Sequence, residues 1–352
     1  MKKQLFLLSL IILNSFVFSQ TFQWAKSFGG GGTDVGYSLT VDASGNVYTT
    51  GYFSGTSDFD PGIGVYNLTS SGSSIDIFFS KLDASGNFVW AKRIGGTNVD
   101  IGYSLVVDVY GNTYTTGVFE GTVDFDPGAG TFELTSENVG DAFILKLNAA
   151  GNFVWVKRLG GAYLDQSYSI CLDAAKNIYT TGSFGGTTDF DPGTGIYNLT
   201  SSASASGKFD VFVSKLDSFG NFVWARNMGG TDNDVGNSIA VDAGGNVYSA
   251  GIFKVTADFD PGSGTSNLVS AGKSDFYISK LDASGNFAWA KRIGGTSDDE
   301  VHSISIDASG NVYSVGFYSG TVDFDPGTGT ANLTTGGGLY FKIKFLWKFC
   351  LG

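Results

Sequence analysis

The chain has almost no histidine, and His302 is the only one in 352 residues. A Ser-His-Asp triad or a His-based zinc site therefore has almost nothing to be built from. Cysteine is nearly absent too, and Cys171 with Cys350 makes no disulfide framework even in an oxidising compartment. Basic residues are outnumbered, 21 Lys and Arg against 33 Asp and Glu, for a formal charge of −12. Nucleic acid is set aside as a partner on this ground, because phosphate recognition needs a basic footprint. Beyond Gln20 no apolar run approaches the ~20 residues of a spanning helix. No membrane span is expected in the mature chain.

A shorter apolar run lies at the start, too short and too close to the terminus to read as a membrane span. Lys2 and Lys3 precede Leu5 to Leu13, and Ser15 and Ser19 follow, which is the layout of a cleaved secretory signal. A cut after Ser19 removes two lysines and takes the charge from −12 to −14. An uncleaved anchor is the alternative.

What the chain does have is glycine, 52 residues, and aromatics, 15%, with only five prolines. Many short strands between glycine-containing turns give this profile, so the class is all-β. Five tryptophans stand at Trp24, Trp90, Trp155, Trp224 and Trp289, with gaps of 66, 65, 69 and 65. Pro61, Pro127, Pro192, Pro261 and Pro326 keep the same gaps in the same order. Two residue types in one register define a repeat. The longer third gap places an insertion in the Ser/Ala run Ser201 to Ser206.

One copy contains Phe153 to Val156, Ser169 to Asp173, Ile178 to Gly182 and Val211 to Leu216, four short β-rich runs bounded by turn residues. Cys171, within a strand run, reads as a buried apolar filler. Asp-x-x-Gly-Asn turns follow the first and third strands, as at Asp108 to Asn112 and Asp217 to Asn221. They read as hairpin turns with Gly in the left-handed position, and Lys176 in place of that Gly should be strained. Each repeat is then a four-stranded meander, which buries both faces when such sheets stack radially. The expected fold is a β-propeller of five four-stranded antiparallel blades. Phe22 to Lys26 reads as a lone fourth strand that closes the ring on the last blade. A fragment of a larger propeller is the alternative. The propeller spans 20–345, after a signal peptide at 1–19, and 346–352 departs from the repeat as an aberrant tail.

The run Trp90-Ala91-Lys92-Arg93-Ile94-Gly95-Gly96, with Asp100, Ser104, Val107-Asp108, Gly111-Asn112, Tyr114 and Gly117, resembles the bacterial SBBP repeat, named for a seven-bladed beta-propeller. The resemblance recurs in all five copies. It implies secreted or surface-exposed bacterial proteins and no catalytic residue. Five units here depart from the seven of the name.

Acids gather at two places in each repeat. The crossovers after Gly-Gly carry Asp34, Asp100, Asp165, Asp234 and Asp299, expected on a ligand-contacting face. The long second-to-third-strand connections carry Asp58 and Asp60, Asp124 and Asp126, Asp189 and Asp191, Asp258 and Asp260, and Asp323 and Asp325. In an extended Asp-Phe-Asp the two acids share one side, and Pro-Gly after them fits the middle of a type II turn with Gly at positive φ. Such a pair is a candidate Ca²⁺ site; the bland alternative has Phe plugging the blade while Asp caps turn amides.

The function read from this is a non-catalytic binding scaffold, secreted or at the cell surface, that recognises a protein or glycan through an acidic loop face, with Ca²⁺ as candidate cofactor. A single-chain monomer is expected. A glycan hydrolase or lyase using Asp pairs is one alternative, though equal pairs in five copies argue against one asymmetric active site. A purely structural or adhesive module is another.

Overall fold

The computed structural model of the chain describes residues 22–202 and 207–335, and the backbone of 347–349. The signal expected at 1–19 lies outside the described residues, as does most of the tail expected at 346–352. All regular structure among the described residues is β-strand.

Five repeats follow one another. In the second, the four strands are Asp100–Val107, Thr113–Phe119, Asp141–Leu147 and Phe153–Gly161. They form an antiparallel meander in sequence order. The Asp-x-x-Gly-Asn turns close its hairpins: Asp108 N–H and Gly111 N–H each bond across the turn at 2.9 Å, with Gly111 at φ 80°. In the third repeat the same left-handed position holds Lys176 at φ 66°, as the sequence implies.

The sheets are not limited to four strands. The Asp-Phe-Asp connection folds into a small hairpin, Thr187–Asp189 with Asn198–Thr200 in the third repeat. This hairpin adds to the fourth strand of the preceding repeat, where Gly160 pairs with Asp189 and Gly161 with Thr188. Three of the sheets thereby reach six strands, four from one repeat and two from the next.

Neighbouring sheets pack face to face, and the core lies between them. Phe59, Phe125, Phe190, Phe259 and Phe324, the central residues of the five Asp-Phe-Asp segments, are all buried. Each meets edge-on an aromatic ring in or just after the second strand, for example Phe119 against Phe125 with centroids 5.2 Å apart. The first strands of successive repeats lie side by side. Ser38, Ser104, Ser169 and Ser238 each accept, through Oγ, the N–H of Leu105, Ile170, Ile239 and Ile304 in the next repeat, at 3.0–3.4 Å. Tyr37 and Tyr168, two repeats apart, both pack on Tyr103, with ring centroids 5.3 and 5.0 Å from it. A straight stack of sheets about 10 Å apart would separate them further, so the first strands converge.

Two expectations about the ends can be set against these pairings. Phe22 to Phe28 is in no strand and pairs with no part of the last sheet; instead Trp24 Nε1 donates to Ala84 O at 3.1 Å in the first repeat. Trp90 and Trp224, on the fourth strands of repeats one and three, make the same bond to Ala149 O and Ala283 O of the following repeat, and the third strand of repeat five, which this segment would pair with to close the ring, lies mostly outside the described residues. At the other end, Trp347–Phe349 pairs with the second strand of repeat five, Val312 opposite Phe349. This is the register of Val47 opposite Leu82 in repeat one. Lys348-Phe349 thus takes the place of Lys81-Leu82, and part of the expected tail continues the repeat.

Candidate binding surface

The hairpin acids cap their own turns. Asp58 Oδ1 accepts the N–H groups of Asp60 at 3.0 Å and Tyr66 at 2.8 Å, and Asp60 Oδ1 accepts that of Gly62 at 2.8 Å. The pattern recurs at Asp124 and Asp126, Asp189 and Asp191, Asp258 and Asp260, and Asp323 and Asp325. The expected type II turn is not formed, because none of Gly62, Gly128, Gly193, Gly262 and Gly327 has positive φ. An aspartate side chain closes the turn in its place. Glycine is needed for space: a Cβ at Gly64 would sit 2.2 Å from Asp60 Oδ2.

Each hairpin thus offers two carboxylates with one oxygen of each already engaged. Among the described residues no three His, Cys, Asp or Glu side chains are grouped to hold a metal ion. Ca²⁺ favours about six to eight oxygens, and this donor set fits it poorly.

The crossover acids face inward, contrary to the expectation of a ligand face. Asp100, Asp165, Asp234 and Asp299 are buried, and Asp34 is half-buried. One oxygen of each accepts the N–H of the second Gly of the preceding pair, from Gly30 through Gly295, at 2.7–2.8 Å. The other oxygen binds the following hairpin region: Ser57 for Asp34, Glu120 for Asp100, Gly185 and Thr188 for Asp165, Lys254 for Asp234, and Ser319 for Asp299. These carboxylates tie one repeat to the next and have no oxygen left for a ligand. Burial pushes Asp100 up to about 7, Asp165 and Asp234 to about 8 and Asp299 to about 6.

A third set of acids escaped the sequence reading. Asp76, Asp141, Asp210 and Asp275 open the third strands and are fully buried. Arg93, Arg158 and Arg292 pair with Asp76, Asp141 and Asp275, while Ser202 serves Asp210. A Cβ at Gly95 or Gly160 would come within 2.4 or 2.2 Å of the adjacent carboxyl carbon. The Gly-Gly pair is thereby explained: the first makes room for one aspartate and the second donates to another. The signal was available, since these aspartates keep the gaps of 65, 69 and 65.

The turn acids are also engaged. Asp307 takes Asn311 through side chain and main chain, with further bonds from Tyr313 and Ser309, and is held down at about 2. The acid sets therefore form a scaffold of internal bonds.

The repeat is broken elsewhere. Each first strand carries a one-residue β-bulge, seen as a register shift flanking Tyr37, Tyr103, Tyr168, Asn237 and His302. A bulge re-aims the extra side chain and bends the strand, and here the extra residue varies: Tyr, Tyr, Tyr, Asn, His. Tyr37 and Tyr103 pack with centroids 5.3 Å apart, and Tyr103 and Tyr168 at 5.0 Å. Tyr52 joins from the second strand, 5.8 Å from Tyr37. Gln166 links the row, donating to Tyr103 Oη at 3.2 Å and accepting from Tyr168 Oη at 2.6 Å. Tyr37 is 49% exposed. A row of partly open rings with amide and hydroxyl groups between them is suited to contact, while His302, exposed near Phe317, has no triad around it.

Fold and surface together define an all-β repeat protein of the propeller type, with antiparallel sheets that share strands between repeats. The SBBP beta-propeller repeat family matches residues 23–60 and 288–316, near the two ends of the described array, and supports an SBBP-type repeat. An uncharacterised WD repeat-containing protein of Acanthamoeba polyphaga mimivirus is 28% identical over 60% of this chain and 17% of its own length. The regulatory protein FlaEY of Caulobacter vibrioides is 33% identical over 41% of this chain and 16% of its own. The chain thus spans under a fifth of these curated relatives. Among solved structures, Sqt1 from Chaetomium thermophilum aligns over 84% of this chain and 82% of that one, at 10% identity and a TM-score of 0.31.

Proposed function

We propose that the chain is a non-catalytic binding scaffold, secreted or held at a bacterial cell surface, that takes a protein or glycan ligand on the tyrosine row of its first strands. The observation that carries this is a contrast. The crossover and turn acids recur from repeat to repeat with both oxygens held by internal hydrogen bonds, whereas the bulge residues vary, with Tyr37 49% exposed and Tyr103 and Tyr168 half-buried beside it. Repeat-containing relatives favour an interaction scaffold over an enzyme. The secreted location rests on Lys2, Lys3 and the apolar run after them.

The test is a panel of immobilised polysaccharides and extracellular proteins, screened with the chain and with Tyr37→Ala. Tyr37 is exposed enough that its loss leaves the fold intact. A probe whose binding falls at least tenfold in Tyr37→Ala supports the reading. Binding that ignores Tyr37→Ala and Tyr52→Ala but is lost in Asp60→Asn would move the site to the hairpins and overturn it. Release of shortened glycan during the screen would replace the scaffold with a hydrolase or lyase.

A further inference from the structure

The four joints between successive repeats are built alike, so they state what surface a repeat requires of its neighbour. On the leading side of repeats two to five, Leu105, Ile170, Ile239 and Ile304 are no more than 7% exposed. Their N–H groups reach the serine of the repeat before. Gly102 and Gly236 admit the preceding repeat closely: a Cβ there would lie 2.5 Å from Thr50 Oγ1 or 2.2 Å from Thr181 Oγ1.

Repeat one presents the same leading face with nothing on it among the described residues. Leu39 is 67% exposed and Val41 53%. Gly36 holds the position of Gly102, yet a Cβ there would meet only Thr49 of its own sheet, at 3.7 Å. Its φ is not positive. At the joints before repeats three and five the same position holds Ser167 and Val301, both fully buried, whereas Gly36 is exposed.

Repeat five is open on the opposite, trailing side. Tyr48, Tyr114, Tyr179 and Tyr248 are buried there, whereas Tyr313 at the same position is only half-buried. Thr50, Thr116, Thr181 and Ala250 are fully buried, and their counterpart Val315 is not. Ser303, the counterpart of Ser38, is exposed.

These two uncovered faces are complementary by the same rules as the four joints already made. Among the described residues they share no strand pairing, and Phe22 to Phe28 packs on repeat one, with Phe28 5.2 Å from Phe59 and 5.5 Å from Phe78. We propose that the leading face of repeat one, centred on Gly36, Leu39 and Val41, docks the trailing face of repeat five, around Ser303, Tyr313 and Val315, of a second copy of this chain. The contact is head to tail, so it propagates or closes by rotation rather than stopping at a two-fold pair. It replaces the single-chain monomer suggested by the sequence, and it is independent of the tyrosine row's ligand.

Two single-cysteine variants, Leu39→Cys and Ser303→Cys, each made with Cys171→Ala and Cys350→Ser, are mixed with a short bis-maleimide. Crosslinked dimer is expected in the mixture and not with either variant alone. Sedimentation of the unmodified chain should show its mass rising to twofold or more with concentration. Leu39→Asp should hold the single-chain mass with an unchanged melting temperature. A single-chain mass at every concentration overturns the proposal. So does a Leu39→Cys/Ser303→Cys double variant that links only within one chain, because the faces then meet by closing a ring.

Discussion

Replacing Asp165 by Ala tests whether the crossover carboxylates hold neighbouring repeats together. This side chain accepts Gly161 N–H at 2.8 Å, Gly185 N–H at 3.3 Å and Thr188 Oγ1 at 2.9 Å. Gly161 ends a strand of repeat two, and Gly185 and Thr188 belong to repeat three. The substitution leaves two amides without a partner in a fully buried site and Thr188 Oγ1 with only a long bond, 3.4 Å, to Gly185 O. Each such group costs about 1–3 kcal/mol. The longest of the three bonds contributes least, so the loss should be about 3–5 kcal/mol. Asp34 makes the equivalent bonds at the half-buried end of the array, where water can replace the carboxylate. Asp34→Ala should cost only about 1 kcal/mol. Urea denaturation followed by tryptophan fluorescence measures both. Equal losses, or a loss below about 1 kcal/mol for Asp165→Ala, would refute the tethering role.

The same carboxylates make stability depend on pH. Burial raises Asp100, Asp165, Asp234 and Asp299 to between about 6 and about 8. The folded state then binds more protons than the unfolded one between about pH 4 and pH 8. Stability is full below the unfolded value and falls as pH rises through the folded values, so the melting temperature should drop from pH 5 to pH 9; a rise over that interval contradicts the burial argument. Trp90→Ala removes a ring 6.2 Å from Tyr48 and a bond to Ala149 O, at a cost of about 3 kcal/mol. A cost under about 1 kcal/mol would show that the ring is no part of the core. Lys176→Gly relieves a left-handed residue by about 1 kcal/mol and forfeits about 0.5 kcal/mol from the Lys176 ammonium over Tyr110. A modestly higher melting temperature is the expected result and a lower one the refutation. Millimolar Ca²⁺ should leave the melting temperature unchanged, and a clear rise would return the hairpin aspartates to metal binding.

Much of the fold was legible because it is local and repeated. Strand runs, Asp-x-x-Gly-Asn turns and the buried Phe of Asp-Phe-Asp can be read within one copy. What escaped is set between copies. The pairing of Gly160 with Asp189 joins a strand of one repeat to a hairpin of the next, and no periodicity within either segment encodes it. The crossover aspartates were misplaced for the same reason. Asp-rich segments suggest a solvated face, and only the neighbouring glycine amides show that the charge is turned inward. The Pro-Gly turn misled because Asp60 closes it by a side-chain bond that dipeptide preference does not include. The bulge residues Tyr37, Tyr103 and Tyr168 were hidden by a mixed pattern, three tyrosines followed by Asn237 and His302.

The hairpin lent by each repeat to the sheet before it fixes how such an array can grow or shrink. A cut made between one repeat's fourth strand and the next hairpin strips two strands from a sheet that otherwise looks complete. Gene duplication or deletion therefore preserves every sheet only in whole periods, whatever the phase at which the break falls. Lengthening within a period is harmless where it avoids the borrowed strands, as the insertion after Thr200 does.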